Sequence, residues 1–221
     1  MDYRDTIVFI MEILGTIAFA ASGAMVGVGR CMDIFGIIVL GVVTSVGGGM
    51  IRDIILGMTP PGVFRKPVYA IVATITSCIV FAVLYWKKDL TDNKFKKNFD
   101  RVMLAMDSIG LGIFTVVGVN TGIQRGYWNH TFLLVFLGTI TGVGGGLLRD
   151  MMAGVPPVIF VKHIYACASI VGAMVCVWMY RDFGPVEALV VSSAVVVIIR
   201  FFAARYHWNL PSLNQSKERQ E

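Results

Sequence analysis

The chain has 221 residues, 56% of them hydrophobic and only 15% charged, against about 25% charged in an ordinary soluble domain. With a mean hydropathy of +0.74, this excludes a soluble globular enzyme, a disordered regulator and a disulfide-stapled secreted domain. The net charge of +5 does not point to nucleic acid, because the basic residues lie between apolar runs.

A transmembrane helix needs about 20 mostly apolar residues. Seven such segments can be read in chain order, at 7–28, 34–57, 67–86, 102–122, 131–154, 163–180 and 185–204. The fold class is therefore an all-α membrane protein. The start, Met1-Asp2-Tyr3-Arg4-Asp5, carries two acids against one Arg and runs into an apolar stretch reaching Val28. It reads as a retained first span rather than a signal peptide. Pro60-Pro61-Gly62 and Pro156-Pro157 punctuate the chain after the second and fifth spans. Lys87 to Arg101 holds six Lys/Arg and three Asp and reads as a solvated loop at the midpoint. The tail from Arg205 to Glu221 is polar, and its end reads as disordered.

Lys/Arg counts set the orientation. With Arg52 and Arg149 set aside inside spans, one side collects twelve basic residues and the other five. The richer side is the cytoplasmic one, so the N-terminus is expected outside and the C-terminus inside, in the cell membrane.

The most informative feature is an internal repeat. Leu40 to Met58 (LGVVTSVGGGMIRDIILGM) and Leu137 to Val155 (LGTITGVGGGLLRDMMAGV) are identical at ten of 19 positions. The match extends to Glu12 with Asp107, Phe19 with Phe114, Gly23 with Gly118, Arg30 with Arg125 and Tyr69 with Tyr165. Each copy holds three spans. Three is odd, so the second copy enters the membrane from the opposite side and the halves are inverted, an architecture that recurs in transporters. The organisation follows: 1–86 a first three-helix repeat, 87–101 a basic cytoplasmic loop, 102–181 a second, inverted repeat, 182–204 a seventh helix, and 205–221 a cytoplasmic tail.

Gly47-Gly48-Gly49 and Gly144-Gly145-Gly146 lie within spans, where each glycine costs a helix about 1 kcal/mol relative to Ala. One reading is two unwound helices framing a permeation route near the bilayer centre, their freed backbone groups meeting an ion. Thr44, Ser45 and Thr141 stand just before the triplets and add candidate hydroxyl ligands. The other reading is close helix–helix packing, a common use of small residues in membranes.

Arg52-Asp53 and Arg149-Asp150 follow the triplets. A charge deep in a span costs about 2.5–3.5 kcal/mol on insertion scales. Adjacent helical residues do not face each other, so Arg52 is not expected to pair with Asp53, and each charge is expected to seek a partner elsewhere. Polar networks at the two mouths of a pathway and simple snorkelling to the interface both fit. The equivalent acids Glu12 and Asp107 read either as cation attractors at opposite mouths or as interfacial acids.

Other chemistry finds no support. The cysteines Cys31, Cys78, Cys167 and Cys176 form no C-x-x-C pair and read as small apolar residues. The histidines His130, His163 and His207 lack ligand spacing. There is no phosphate loop, Gly27-Val28-Gly29 lacks the third glycine of a dinucleotide fingerprint, and no nucleophile stands with a base. The sequence thus offers no catalytic residue, metal site or cofactor, and an enzyme is not expected.

Gly15 to Gly23 (GTIAFAASG), Arg30 with Asp33-Ile34-Phe35-Gly36, the doubled G-G-G-x-x-R-D and the closing Trp208-Asn209-Leu210-Pro211 resemble the prokaryotic TRIC family, relatives of the trimeric intracellular cation channels. The likeness spans about residues 6–211. It implies a homotrimer among membrane lipids, each protomer carrying its own pore, with the second and fifth spans kinked at the glycine triplets. It implies passive conduction of monovalent cations, chiefly K⁺. The animal members use a basic residue near the kink in gating and lipid sensing, whereas no lysine stands beside either triplet here. The same family has also been labelled a glycine transporter, so secondary transport of a small amino acid is the alternative. A structural trimer whose glycines only pack is a third reading.

Overall fold

A computed structural model of the chain describes residues 3–86, 93–161, 164–206 and 208. The sequence expectations for Lys87 to Asp92, for His163 and His207 and for the tail from Asn209 onward fall outside these residues. Among the described residues the fold is all-helical, and seven helices are long and apolar enough to cross a membrane.

The first half comprises α1 (Tyr3–Gly29), α2 (Ile34–Ile55), a short α3 (Gly62–Arg65) and α4 (Val68–Trp86). The second comprises α5 (Asn93–Gln124), α6 (Thr131–Met152), a short α7 (Val158–Val161) and α8 (Ile164–Asp182). A last helix, α9 (Pro185–Arg205), follows. It starts with Pro at the first helical position after Gly184, whose φ of 102° suits glycine. The fold is two inverted three-span repeats plus one helix. α5 starts within the stretch read as a loop: no Pro or Gly interrupts Asn93 to Arg101, so the helix continues outward into polar sequence.

The turns repeat as faithfully as the spans. α1 closes with the Met32 N–H on the Gly27 carbonyl at 3.1 Å, and α5 with Tyr127 on Gly122 at 3.2 Å. α2 closes with Met58 N–H on Asp53 O at 2.8 Å, and α6 with Val155 on Asp150 at 3.0 Å. Gly57 and Gly154 carry the left-handed φ values of 67° and 65° that end these helices. Asp33 caps α2, its Oδ1 accepting from the Gly36 N–H at 2.7 Å.

α1, α2, α5 and α6 form the centre, with α1 on α5 and α2 on α6 joining the halves. The two peripheral helices differ. α4 packs on α1 and α2 and buries only Ala73 and Ser77. Its counterpart α8 is held between α5, α6 and α9, and buries Tyr165, Ala168, Ser169, Gly172 and others. α9 therefore thickens one half of an otherwise symmetric bundle.

Candidate functional site: an inverted crossing between two cavities

The helices run through both triplets without interruption. The unwound segments expected from the glycines do not form, and the backbone groups there remain in helical hydrogen bonds. The glycines serve a crossing instead. A β-carbon on Gly48 would overlap the Thr141 carbonyl oxygen, and one on Gly145 would overlap the Thr44 carbonyl oxygen. One on Gly144 would lie 3.1 Å from the Gly48 Cα, one on Gly47 2.6 Å from Leu148 Cδ1, and one on Gly146 2.8 Å from the Tyr165 hydroxyl. The cost of glycine is offset because α2 and α6 approach backbone to backbone. Gly49 differs, since its nearest neighbour would be Arg52 Nη2 at 3.8 Å.

The hydroxyls before the triplets are turned back onto their own helices. Thr44 donates to Leu40 O at 2.6 Å, Ser45 to Val42 O at 2.9 Å and Thr141 to Leu137 O at 2.5 Å. Thr44 and Thr141 are fully buried, while Ser45 lines a cavity. Next to the crossing, the repeat-equivalent rings of Phe19 and Phe114 stack at 5.3 Å.

A cavity opens at each end of the bundle. The one at the Tyr3 end, about 320 Å³, is lined by Glu12, Thr16, Ser45, Gly49, Arg52 and Tyr69, among others. The one at the Arg101 end, about 740 Å³, is lined by Lys97, Arg101, Asp107, Arg149 and Arg200, among others. The equivalent acids Glu12 and Asp107 thus sit in opposite cavities.

The Arg-Asp motifs overturn one expectation: neighbours in sequence do pair. Arg52 Nε and Nη2 donate to Asp53 Oδ1 at 2.9 and 2.8 Å, and Arg149 Nε donates to Asp150 Oδ1 at 2.8 Å. The long Arg side chain curls round the helix to reach a carboxylate whose Cβ points elsewhere. The second carboxylate oxygen accounts for the conformation. Asp53 Oδ2 accepts from the Gly62 N–H at 2.7 Å and Asp150 Oδ2 from the Val158 N–H at 2.8 Å. Each Asp thereby satisfies an orphan donor at the start of the short helix after the proline pair.

The two halves then diverge. Arg149 Nη1 also donates to Asp107 Oδ1 at 2.6 Å and to the Ser22 hydroxyl at 2.7 Å. Asp107 further meets the Tyr165 hydroxyl at 3.4 Å and Arg200 Nη2 at 3.5 Å, and Arg200 lies over the Tyr165 ring at 4.6 Å. Every member of this cluster is buried. In the first half, Tyr69 donates instead to Glu12. Among the described residues Arg52 keeps only Asp53 as an acidic partner, and its side chain is 12% exposed against 3% for Arg149. Sequence reasoning had paired Glu12 with Asp107 and Tyr69 with Tyr165, but it missed Ser22 and Arg200. An arginine buried in the last apolar span was the available signal. A second polar knot was also missed: Arg4 Nη2 donates to Asn120 Oδ1 at 3.1 Å and to the Tyr180 hydroxyl at 2.5 Å, tying the start of α1 to α5 and α8.

Comparison with known proteins follows the same duplication. The family model described as "Glycine transporter" matches twice, over residues 9–85 and 104–181, once per repeat. The Escherichia coli K12 inner membrane protein YadS, of the UPF0126 family, is 36% identical over 209 residues, covering 93% of this chain and 96% of that protein. The chain belongs to the UPF0126 family of membrane proteins. A UPF0126 membrane protein of Deinococcus radiodurans is 35% identical over 204 residues, covering 91% of this chain and 89% of the relative. Among solved structures, this UPF0126 chain is similar to a prokaryotic TRIC channel crystallised in 0.5 M KCl, with a TM-score of 0.83 and 28% identity over 93% of this chain and 99% of that one. It is also similar to the trimeric intracellular cation channel orthologue of Rhodobacter sphaeroides, with a TM-score of 0.81 and 30% identity over 92% of this chain and 100% of that one. A third structure, of a TRIC cation channel studied for conductance, gives a TM-score of 0.76 and 34% identity over 92% of this chain and 95% of that one. These neighbours of the UPF0126 chain are channels, not enzymes.

Proposed function

We propose that the protein is a monovalent-cation channel, chiefly for K⁺, assembled as a homotrimer with one pathway in each protomer. The observation that carries this reading is the pair of opposed cavities. Each holds one of two repeat-equivalent acids, Glu12 or Asp107, and they flank the crossing of Gly47–Gly49 and Gly144–Gly146. Acids within spans are costly and mark ion routes by default. Each carboxylate offers a permeating cation an oxygen partner, within a lining whose basic side chains outnumber its acidic ones. Arg52 and Arg149 stand at the two cavities, but Asp53 and Asp150 neutralise their charge. Along the route, Ser45 brings a hydroxyl to the lining of the first cavity and Gly49 leaves that lining without bulk. Similarity to TRIC cation channels supports the same reading. Likeness to an inner membrane protein and the basic-residue asymmetry support an inner-membrane location with the N-terminus outside.

One observation favours a second reading, secondary transport of a small amino acid such as glycine. The first cavity carries Arg52, Arg65 and Lys66 as well as Glu12 and Asp53, so it offers both signs of charge to a zwitterion. The test is purified protein in a planar bilayer under a KCl gradient, with and without glycine. Discrete currents reversing near the K⁺ potential support the channel. Electrical silence with glycine accumulating in proteoliposomes supports the transporter.

A further inference from the structure

We propose that the cavity at the Tyr3 end holds a binding site for one monovalent alkali cation, formed by the Glu12 carboxylate with the hydroxyl oxygens of Thr16, Ser45, Tyr69 and Thr121, and that the cavity at the Arg101 end holds no such site. This rests on the cation reading above and names where along the route an ion exchanges water for protein oxygens.

The hydroxyl protons decide what the cavity wall offers. Among the described residues four hydroxyls line the first cavity: Thr16 on α1, Ser45 on α2, Tyr69 on α4 and Thr121 on α5. Each spends its proton on the protein. Thr16 donates to Glu12 O at 2.7 Å, Ser45 to Val42 O at 2.9 Å and Thr121 to Val117 O at 2.8 Å, while Tyr69 donates to the Glu12 carboxylate. A hydroxyl has one proton and two acceptor lone pairs. With the proton committed, only the acceptor side is left for whatever enters the cavity. Thr16 stands one turn after Glu12, on the same face of α1. Oxygens without free protons around one carboxylate suit a hard cation.

Charge selects the valence. Arg52, Arg65 and Lys66 also line this cavity, and Arg52 is paired with Asp53. Among the described residues Glu12 is the lining acid that pairs with no basic side chain. A divalent ion takes more oxygen ligands and is held by a higher count of charged ones. One carboxylate with Arg65 and Lys66 in the same lining therefore favours a single positive charge. It also keeps binding weak enough for the ion to leave, which conduction requires.

The repeat confines the site to one half. Thr16 answers to Leu111, Ser45 to Gly142 and Thr121 to Val26, so the inverted copy has lost these hydroxyls. Among the described residues no hydroxyl lines the second cavity, and its Asp107 is already paired with Arg149 and Arg200. Glu12 and Asp107 hold equivalent places, but only Glu12 shares its cavity with acceptor oxygens.

The test reads binding apart from current. The unfolding midpoint in detergent is followed as N-methyl-glucamine chloride is replaced stepwise by KCl at constant chloride, since a ligand that binds only the folded chain raises its midpoint. K⁺ is expected to raise the wild-type midpoint, and Glu12→Gln to abolish the rise. Thr16→Val and Ser45→Ala each delete one oxygen and are expected to raise the half-saturating K⁺ concentration by about five- to tenfold. Thr74→Val removes a hydroxyl with the same kind of bond, to Ala70 O at 2.9 Å, outside the cavity, and is expected to titrate like wild type. In planar bilayers Thr16→Val and Ser45→Ala are expected to shift the K⁺ dependence of unitary conductance by the same factor. No K⁺-dependent rise in wild type overturns the site, as does a rise unchanged in folded Glu12→Gln and Thr16→Val; the channel reading then stands or falls on its currents. A rise that the variants lose, in a protein silent in bilayers, keeps the site and removes the channel. Displacement of the K⁺ effect by MgCl₂ overturns the monovalent assignment. Where Glu12→Gln does not fold, Thr16→Val and Ser45→Ala decide.

Discussion

Gly48 and Gly145, equivalent residues of the two repeats, meet at one crossing: a β-carbon added to Gly48 would lie 3.2 Å from the Gly145 amide nitrogen and would overlap the Thr141 carbonyl. The obstacle is backbone, which cannot rotate away as a side chain can. Gly48→Ala and Gly145→Ala are each expected to destabilise by about 3 kcal/mol, the upper end of overpacking costs. Gly49→Ala meets nothing closer than the Arg52 side chain at 3.8 Å and gains helix propensity, so it is expected to be neutral or stabilising by up to about 1 kcal/mol. Thermal unfolding of the three variants in detergent checks this. Equal losses at all three positions would mean the triplets are not a site-specific contact.

The two arginines are expected to differ in the same assay. Arg149 pairs with Asp107 and Asp150 in a buried cluster that Arg200 completes, whereas Arg52 pairs with Asp53 at a cavity wall. Removing one partner of a buried ion pair strands the other and costs about 3–5 kcal/mol. Arg149→Ala is expected to reach that range and to lower the yield of monodisperse protein. Arg52→Ala is expected to cost about 1–3 kcal/mol, since Asp53 keeps the Gly62 N–H. Matching losses in unfolding midpoint would remove the energetic asymmetry between the halves.

The spans were legible because apolar run length and a ten-in-19 repeat leave few other folds. The inversion followed from counting three spans per copy. The state of the triplets was not legible. Glycine composition reveals a cost but not what offsets it, and here a backbone approach offsets it without unwinding. Nor was the Arg52–Asp53 pair legible from helical geometry, which places Cβ atoms, because the bond is made five bonds further out on a flexible stem. The short helices α3 and α7 were hidden behind proline pairs that read as turns. Arg200 lay near the end of its span and counted as an interfacial charge, yet burial places it beside Asp107.

Packing between α1 and α5 gives a compensation test. A β-carbon on Gly110 would overlap the Phe19 ring, whose Cγ would lie only 2.7 Å away. The Phe19 ring also stacks on Phe114. Gly110→Ala is expected to cost about 1–3 kcal/mol by overpacking. Pairing it with Phe19→Leu removes the ring, so the double variant is expected to be less destabilised than the sum of the singles by at least about 0.5 kcal/mol. Strict additivity of the unfolding midpoints would show that the two residues do not share that space.

Topology can be read from a native thiol. Cys31 sits exposed in the turn between α1 and α2, with φ at 55°. In the proposed orientation, where the side with twelve basic residues against five is cytoplasmic, that turn faces the cytoplasm. Cys167 is exposed near the start of α8, which begins on the same side when helix directions alternate. A membrane-impermeant maleimide is therefore expected to leave the protein unlabelled in intact cells and to label it once the inner membrane is opened. Cys31→Ser is expected to remove most of that signal, because Cys167 lies within an apolar span that a hydrophilic reagent does not readily enter. Labelling of intact cells that disappears in Cys31→Ser would reverse the orientation. It would also place the larger, Arg149-floored cavity on the outside and the Glu12 cavity toward the cytoplasm.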